Sequence, residues 1–376
     1  MAVAMQDRFA TLVDAKLRDV IVQKNGYVWN NKYEGLPKAG AVKIPVRNTE
    51  ATVGDYAKNN ASAGKAFSQT AATFMMVSID KDIAVNEKID GYDAEAVPDN
   101  ILADRLDSAG YSLALRMNAD GTEELLNAET IASTESLTKD NVYSQFVDLR
   151  TELSREKVPT QGRFALISPE VYALLLKSPE FVKASDLGDA VVQSGAIGQI
   201  AGFLLFEDTS LPEVVSVIAG HPDWCTRIEE WAVAPRIQSL DGSGNFIGEV
   251  AIQGRKIYAH KLTKANTARK VTTILAPSLL IDTQTDKFTV TANAGNTATG
   301  TWTLEYKSKV KKGETEIEVA PTAIVTATAL KVLAGEGDAG DYTGTVSART
   351  KFVSSDNKTY YSGWVTSSVI TFTKAS

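Results

Sequence analysis

The residues whose types and spacing could do chemistry are few. Cys225 lies four positions after His221 and two after Asp223, a crowding of thiol, imidazole and carboxylate that could in principle activate a nucleophile. Crowding in sequence is not alignment in space, and an ordinary buried thiol is the expected role of Cys225. His260 sits between Ala259 and Lys261, which suits a hydrogen-bonded strand residue rather than a base. Two histidines and one cysteine in 376 residues exclude a histidine-rich metal site and an intrachain disulfide. No D-x-D-x-D-G run marks a calcium loop.

Gly335-Glu336-Gly337-Asp338-Ala339-Gly340 matches G-x-G-x-x-G and follows an apolar stretch. A dinucleotide site needs a helix next, with its N-terminus on the pyrophosphate. Tyr342-Thr343-Gly344-Thr345-Val346 reads as a strand instead, so the glycines mark a turn. Ala63-Gly64-Lys65-Ala66 fails as a phosphate loop because Asn59 occupies the earlier glycine position and no Ser or Thr follows the lysine. Glu123-Glu124 and Glu229-Glu230 are expected as solvated or interface charges. Lys307, Lys309, Lys311 and Lys312 make a basic ribbon whose default reading is a solvated hairpin. The sequons at Asn60 and Asn357 are expected by chance. No catalytic residue, metal site or cofactor is expected.

The elements that carry these residues fall into two regimes. The chain is 44% hydrophobic with net charge −7. Residues 271–376 hold 10 basic and 10 acidic side chains, so the −7 belongs to 1–270, with 29 basic and 36 acidic. An acidic chain is a poor candidate for gripping nucleic acid. No apolar run is long enough to span a bilayer, and the N-terminus lacks the pattern of a signal peptide, so neither membrane nor secretion is expected. Of the last 106 residues, 21 are threonine and alternation dominates, which predicts a separate all-β domain after a linker near 263–270.

Periodicity predicts a helix over 7–22, two extended stretches at 41–46 and 73–79, and a long helix from Pro98 to Ile131, which Gly121 could split into two stacked helices. The small polar tract 56–65 between the extended stretches fits either a two-stranded excursion held by neighbours or a disordered loop. Helices follow at 140–156 and, capped by Ser168-Pro169, at 170–177. Strands are predicted at 163–167, 202–207, 214–218, 229–233 and 248–262, an α+β pattern. In the C-terminal region the strand candidates are 287–292, 301–306, 314–319, 329–333, 342–352 and 360–373, a β-sandwich pattern.

Several stretches resemble the Hong Kong 97-type major capsid proteins of tailed phages, in the branch of P22-like coat proteins. They are Tyr33-Glu34-Gly35 with Val42-Lys43-Ile44-Pro45, Gly162 to Tyr172, Phe181 to Asp186, Gly198 to Phe203 and Gln253 to Lys261. The resemblance covers about 1–270. It implies an N-arm at 1–32, an E-loop at 33–80, a P-domain at 81–138 and 226–266 with a spine helix at 98–131, and an A-domain at 139–225. It implies self-assembly into hexamers and pentamers around double-stranded DNA touched weakly, with scaffolding and portal partners, in a virion assembled in the host cytoplasm. Assembly contacts are expected at Lys43, Arg47, Tyr56, Lys58, Lys65, Arg255 and Lys256. An encapsulin-like compartment shell keeps the same fold, and a surface adhesin is the alternative of another class.

Asp338-Ala339-Gly340-Asp341-Tyr342-Thr343-Gly344 resembles the immunoglobulin tyrosine corner with glycine in place of its cysteine. The resemblance implies an Ig-like sandwich over 271–376 without a disulfide, displayed on the outer surface, with Phe288, Trp302, Tyr342 and Trp364 in its core. A fibronectin-type sandwich is the close alternative.

Overall fold

The structure is a computed structural model of a mixed α+β chain, rich in strands and with few helices. It describes residues 13, 16–17, 21–32, 40–46, 73–90, 101–178, 198–240, 248–324, 327–355 and 357–374. The α-helices described along their whole length are α1 (Ile101–Leu125), α2 (Val142–Arg155) and α3 (Pro169–Lys177). The first strands are β1 (Ala41–Val46), β2 (Thr73–Ser78), β3 (Lys81–Asp90) and β4 (Glu129–Thr130), then β5 (Arg163–Ile167), β6 (Gly198–Ile200), β7 (Phe203–Glu207) and β8 (Val215–Gly220). Next come β9 (Cys225–Ser239), β10 (Glu249–Leu262), β11 (Arg269–Thr272), β12 (Ser278–Asp282), β13 (Lys287–Thr291) and β14 (Gly300–Lys312). The last are β15 (Thr315–Ile324), β16 (Ala327–Ala329), β17 (Gly340–Ser354), β18 (Thr359–Tyr361), β19 (Val365–Thr366) and β20 (Ile370–Lys374). Two compact units result, one from 1–124 with 222–263 and the other from 125–221 with 264–376.

In the first unit β10 is the centre of an antiparallel sheet, between β3 and β9. Helix α1 lays Leu106, Leu113, Ala114 and Met117 on one face of it, against Ile89, Ile252 and Tyr258, together with Val13, Leu17 and Ile21 from the N-terminal segment. The glycines inside α1 serve this packing. A Cβ on Gly110 would stand 2.8 Å from the Val13 carbonyl, and one on Gly121 would stand 2.3 Å from Gln23 Oε1. Gly121 therefore does not split the helix; it lets Gln23 approach, where the side chain donates to the Asn118 carbonyl and to Thr122 Oγ1. The helix is nonetheless shorter than the 98–131 expected. It ends at Leu125, and Glu129–Thr130 is taken into a sheet by pairing with β11. Pro98 lies outside the described residues.

Strand β9 runs well beyond the expected 229–233 and contains Pro235. It tolerates a proline because it is an edge strand, and the pairing shifts register between Gln253 and Lys256. Gly254 is the residue opposite, where a Cβ would stand 3.1 Å from Pro235 Cα.

The second unit is built on a six-stranded sheet in the order β4-β11-β8-β5-β7-β6. Ser168 caps α3 by accepting from the Val171 N–H, with Pro169 in the first turn, as the sequence predicts. The β6–β7 turn uses Ala201 and Gly202, both at positive φ, the conformation of a tight hairpin. Arg163 is buried and donates to the carbonyls of Arg150, Val158 and Pro159, so its guanidinium satisfies the end of α2. The expected boundary after residue 270 falls inside β11, whose pairing with β8 continues to Thr272. Residues 271–376 cluster with 125–221.

Beyond β11, the sheet β12-β13-β16 and a larger sheet around β14 and β17 share one core. It holds Phe288, Val290, Tyr306, Val310, Leu330, Leu333, Tyr342, Val346 and Phe372. The strand expected at 329–333 is a 3-10 helix over Leu330–Ala334. Its apolar residues recur at a spacing of three, which suits that helix and puts Leu330 and Leu333 on one side.

Candidate assembly surface

Strands β1 and β2 form an antiparallel ribbon, with Lys43 opposite Met76 and Pro45 opposite Phe74. Alternation gives this ribbon two unlike faces. Val42, Ile44 and Val77 point inward, with Met75 and Ile79 beside them, and pack on Ile228 of β9 and Ala259 of β10. The other face carries Lys43 and Pro45 with Phe74 and Met76, each of the latter two 59% exposed. Covering the part of each side chain still exposed would contribute about 1–2 kcal/mol each. The foot of the ribbon borders a shallow cleft of about 400 Å³ lined by Gly40, Ile79, Lys81, Asp82, Ala232, Arg255 and Ile257. Here Arg255 Nε donates to Asp82 Oδ1 at 2.8 Å, and a second arm of the fork reaches Oδ2. That hydrogen bonding holds the Asp82 carboxyl below the usual carboxylate range.

The residues expected at assembly contacts thus divide. Lys43 and Arg255 are exposed on the ribbon and beside its foot. Arg47, Tyr56, Lys58 and Lys65 lie outside the described residues. Lys256 does not belong to a surface: it is 4% exposed. Its ammonium stands 3.1 Å from Glu229 Oε2 and 4.6 Å from the Trp231 ring centre. Strand alternation turns Lys256 inward where its neighbour Arg255 turns outward, and sequence spacing did not reveal which of the two faced the core.

Around Lys256 lies a buried polar cluster. Asn25 donates to Glu229 Oε1 at 2.9 Å. Burial opposes the charge on Glu229, but Lys256 and Arg227 outweigh it and hold the carboxyl below its ordinary range. Arg227, 2% exposed, donates through Nε to His260 Nε2 at 2.8 Å, and its guanidinium lies 5.6 Å from the Trp29 ring centre. Burial lowers Arg227 to about 10, and burial with the adjacent Arg227 charge drives His260 well below its usual value. A neutral imidazole accepting from a guanidinium is a structural strand residue, as the sequence suggested.

The would-be thiol triad does not assemble: two of its members have other partners and the third is buried. His221 Nε2 lies 2.9 Å from the Gln161 carbonyl, and Asp223 pairs with Lys32. Cys225 is fully buried, which pushes its thiol far up and away from thiolate chemistry. Among the described residues no group of three or more His, Cys, Asp or Glu could hold a metal, and no helix is long and apolar enough to cross a membrane.

Of the four expected sandwich-core residues, Phe288 and Tyr342 are in the core, and the Tyr342 hydroxyl donates to the Asp338 carbonyl at 2.6 Å. Trp302 and Trp364 are half-buried and outside it. Trp302 packs tilted against Phe352, ring centres 4.3 Å apart, and donates to the Ala298 carbonyl. Trp364 receives Lys307 and Arg349 on its ring, each at 4.4 Å. On β14 the core positions are Tyr306 and Val310. The strand is longer than expected, so its interior lies further along.

No family model and no curated protein matches this chain. Among solved structures it is similar to one described as Mycobacterium phage Che8, at 20% identity and a TM-score of 0.49, covering 65% of this chain and 88% of that one. It is similar to a chain of the bacteriophage PhiM1 mature capsid at 14% and 0.47, covering 66% and 89%. A virus-like particle from Pyrococcus furiosus aligns at 10% and 0.45, covering 70% and 98%. With TM-scores under 0.5, the fold of this chain is read from its own elements.

Proposed function

We propose that this chain is a shell subunit, the major capsid protein of a tailed phage, assembling into hexamers and pentamers around double-stranded DNA. The observation that carries the reading is the β1–β2 ribbon. It is an ordered element with a buried foot whose other face shows Phe74 and Met76 to water. Large apolar side chains on a narrow ribbon are a surface built to be covered, and self-assembly covers them with another copy. The sequence resemblance over 1–270 supplies the layout. The N-terminal segment is the arm, the ribbon is the E-loop, and α1 is the spine. The sheet β3-β10-β9 is the P-domain and the sheet around β5 and β8 the A-domain. Scaffolding and portal proteins are then the expected partners.

The C-terminal sandwich is read as Ig-like and outward-facing. The Tyr342 hydroxyl bond to Asp338 supports the tyrosine-corner likeness. Negative-stain electron microscopy of the expressed protein tests the reading. Closed shells of uniform size are expected, and a protein that stays monomeric under all assembly conditions overturns it. Native particles holding a packaged enzyme instead of DNA would make it a compartment shell.

A further inference from the structure

The second unit holds a cleft of about 830 Å³ that the shell reading does not use. Its cations are Arg155, Arg269, Lys270, Lys307 and Arg349, and its acids are Glu129, Asp148 and Glu152. In a chain of net charge −7, this cleft is positive by two. Pairing within the protein engages the three arginines, Arg349 with Glu305 and Arg269 with Glu156 as well as Glu129, and leaves the two lysines over. Glu129 accepts from Arg269 at 2.9 Å and Glu152 from Arg155 at 2.7 Å. Lys270 and Lys307 have no carboxylate within ion-pair distance among the described residues.

Both lysines are held in place. Lys270 donates to the Leu126 carbonyl. Lys307 lies 4.4 Å over the Trp364 ring. Arg349 stacks 3.7 Å over Tyr361, and Glu305 takes its Nε and Nη2 at 2.9 and 2.7 Å. That leaves Nη1 without an acceptor among the described residues. The two aromatic rings are therefore the mounts for cationic donors, and ligand recognition falls to the donors.

We propose that this cleft binds a small tetrahedral oxyanion, phosphate or sulfate, free or as an organic ester, through Lys270, Lys307 and Arg349. Burial without a counter-charge lowers Lys270 to about 8. A bound anion supplies that charge and raises it again. The proposal stands whether or not the chain forms shells.

The test is calorimetric titration of the full chain at pH 7.5 with inorganic phosphate and, in a second arm, glycerol 3-phosphate. Saturable binding is expected, weakened about tenfold in Lys307→Met and unchanged in Lys309→Met, whose residue is already paired with Glu316 and Glu318. Binding in the second arm alone assigns the esterified source. A further readout needs no variant: trace acetylation of Lys270 should slow when phosphate is added. Absence of saturable heat in both arms, equal affinity in Lys307→Met, or acetylation indifferent to phosphate would overturn the proposal.

Discussion

Two ribbons in this molecule share a geometry and differ in how they end at water. The β14–β15 hairpin places Lys309 on its exposed face between Glu316 at 2.6 Å and Glu318 at 2.9 Å, so this outer charge is matched within the same two strands. The β1–β2 ribbon sets Phe74 and Met76 on the corresponding face, with Lys43 and Pro45 across from them. The first surface is complete as it stands in water. The second is stable only at its foot, and its outer face gains free energy when something covers it. Solvent exposure means opposite things in the two places, and the difference lies in side-chain chemistry rather than in strand geometry.

This contrast can be broken or sharpened by substitution. The largest effect is expected from Phe74→Glu with Met76→Glu. Shells should disappear by electron microscopy while the thermal midpoint of the subunit is unchanged. Normal shells from this variant would mean that the outer face of the ribbon is not an interface. Gly363→Ala should do the reverse. A Cβ there would stand 2.1 Å from the Ala132 backbone nitrogen, and backbone cannot move aside as a flexible side chain can. A cost of about 3 kcal/mol, or roughly 6–12 °C in melting midpoint, is expected, with assembly retained below that temperature.

A smaller loss is expected from Tyr342→Phe, which removes the hydroxyl bond to the Asp338 carbonyl and leaves the ring in the core. About 1 kcal/mol by denaturant titration is the expected value, and no change would make the bond incidental. Lys309→Ala should give the smallest effect. Its ammonium is held well above the usual lysine range by the hydrogen bonds it donates to both glutamates, but the group is fully exposed and screened. Melting and assembly should both be indistinguishable from wild type. A measurable defect in assembly would show that the β14–β15 hairpin is also an interface.

The pH response of the cleft follows from the depressed Lys270. Below about 8 the folded and unfolded states both hold the proton, and folding carries the burden of a buried charge. Between about 8 and the ordinary lysine value the folded state has released it while the unfolded state keeps it. This residue therefore makes stability rise with pH across that window. The melting gap between wild type and Lys270→Met should narrow from pH 7 to pH 10, and a constant gap would contradict the assignment.

Local signals in the sequence determined a good deal. Ser168-Pro169 placed the start of α3, short extended stretches placed β1 and β2, partial alternation placed β10, and a strand rather than a helix follows Gly340. The scarcity of His and Cys limited the available chemistry. These features depend on backbone preference and on neighbours a few residues apart, which a sequence carries directly.

Tertiary structure decided which side chains meet across distant positions of the chain. It turned Lys256 inward onto Glu229 and left Arg255 outside with Asp82. It made Gly121 a contact point for Gln23, drew 271–272 into the β8 sheet, and moved Trp302 and Trp364 out of the core. The cationic cleft had no sequence signature, because Lys270, Lys307 and Arg349 lie on separate strands. Only the tertiary packing of the second unit makes them line one cavity.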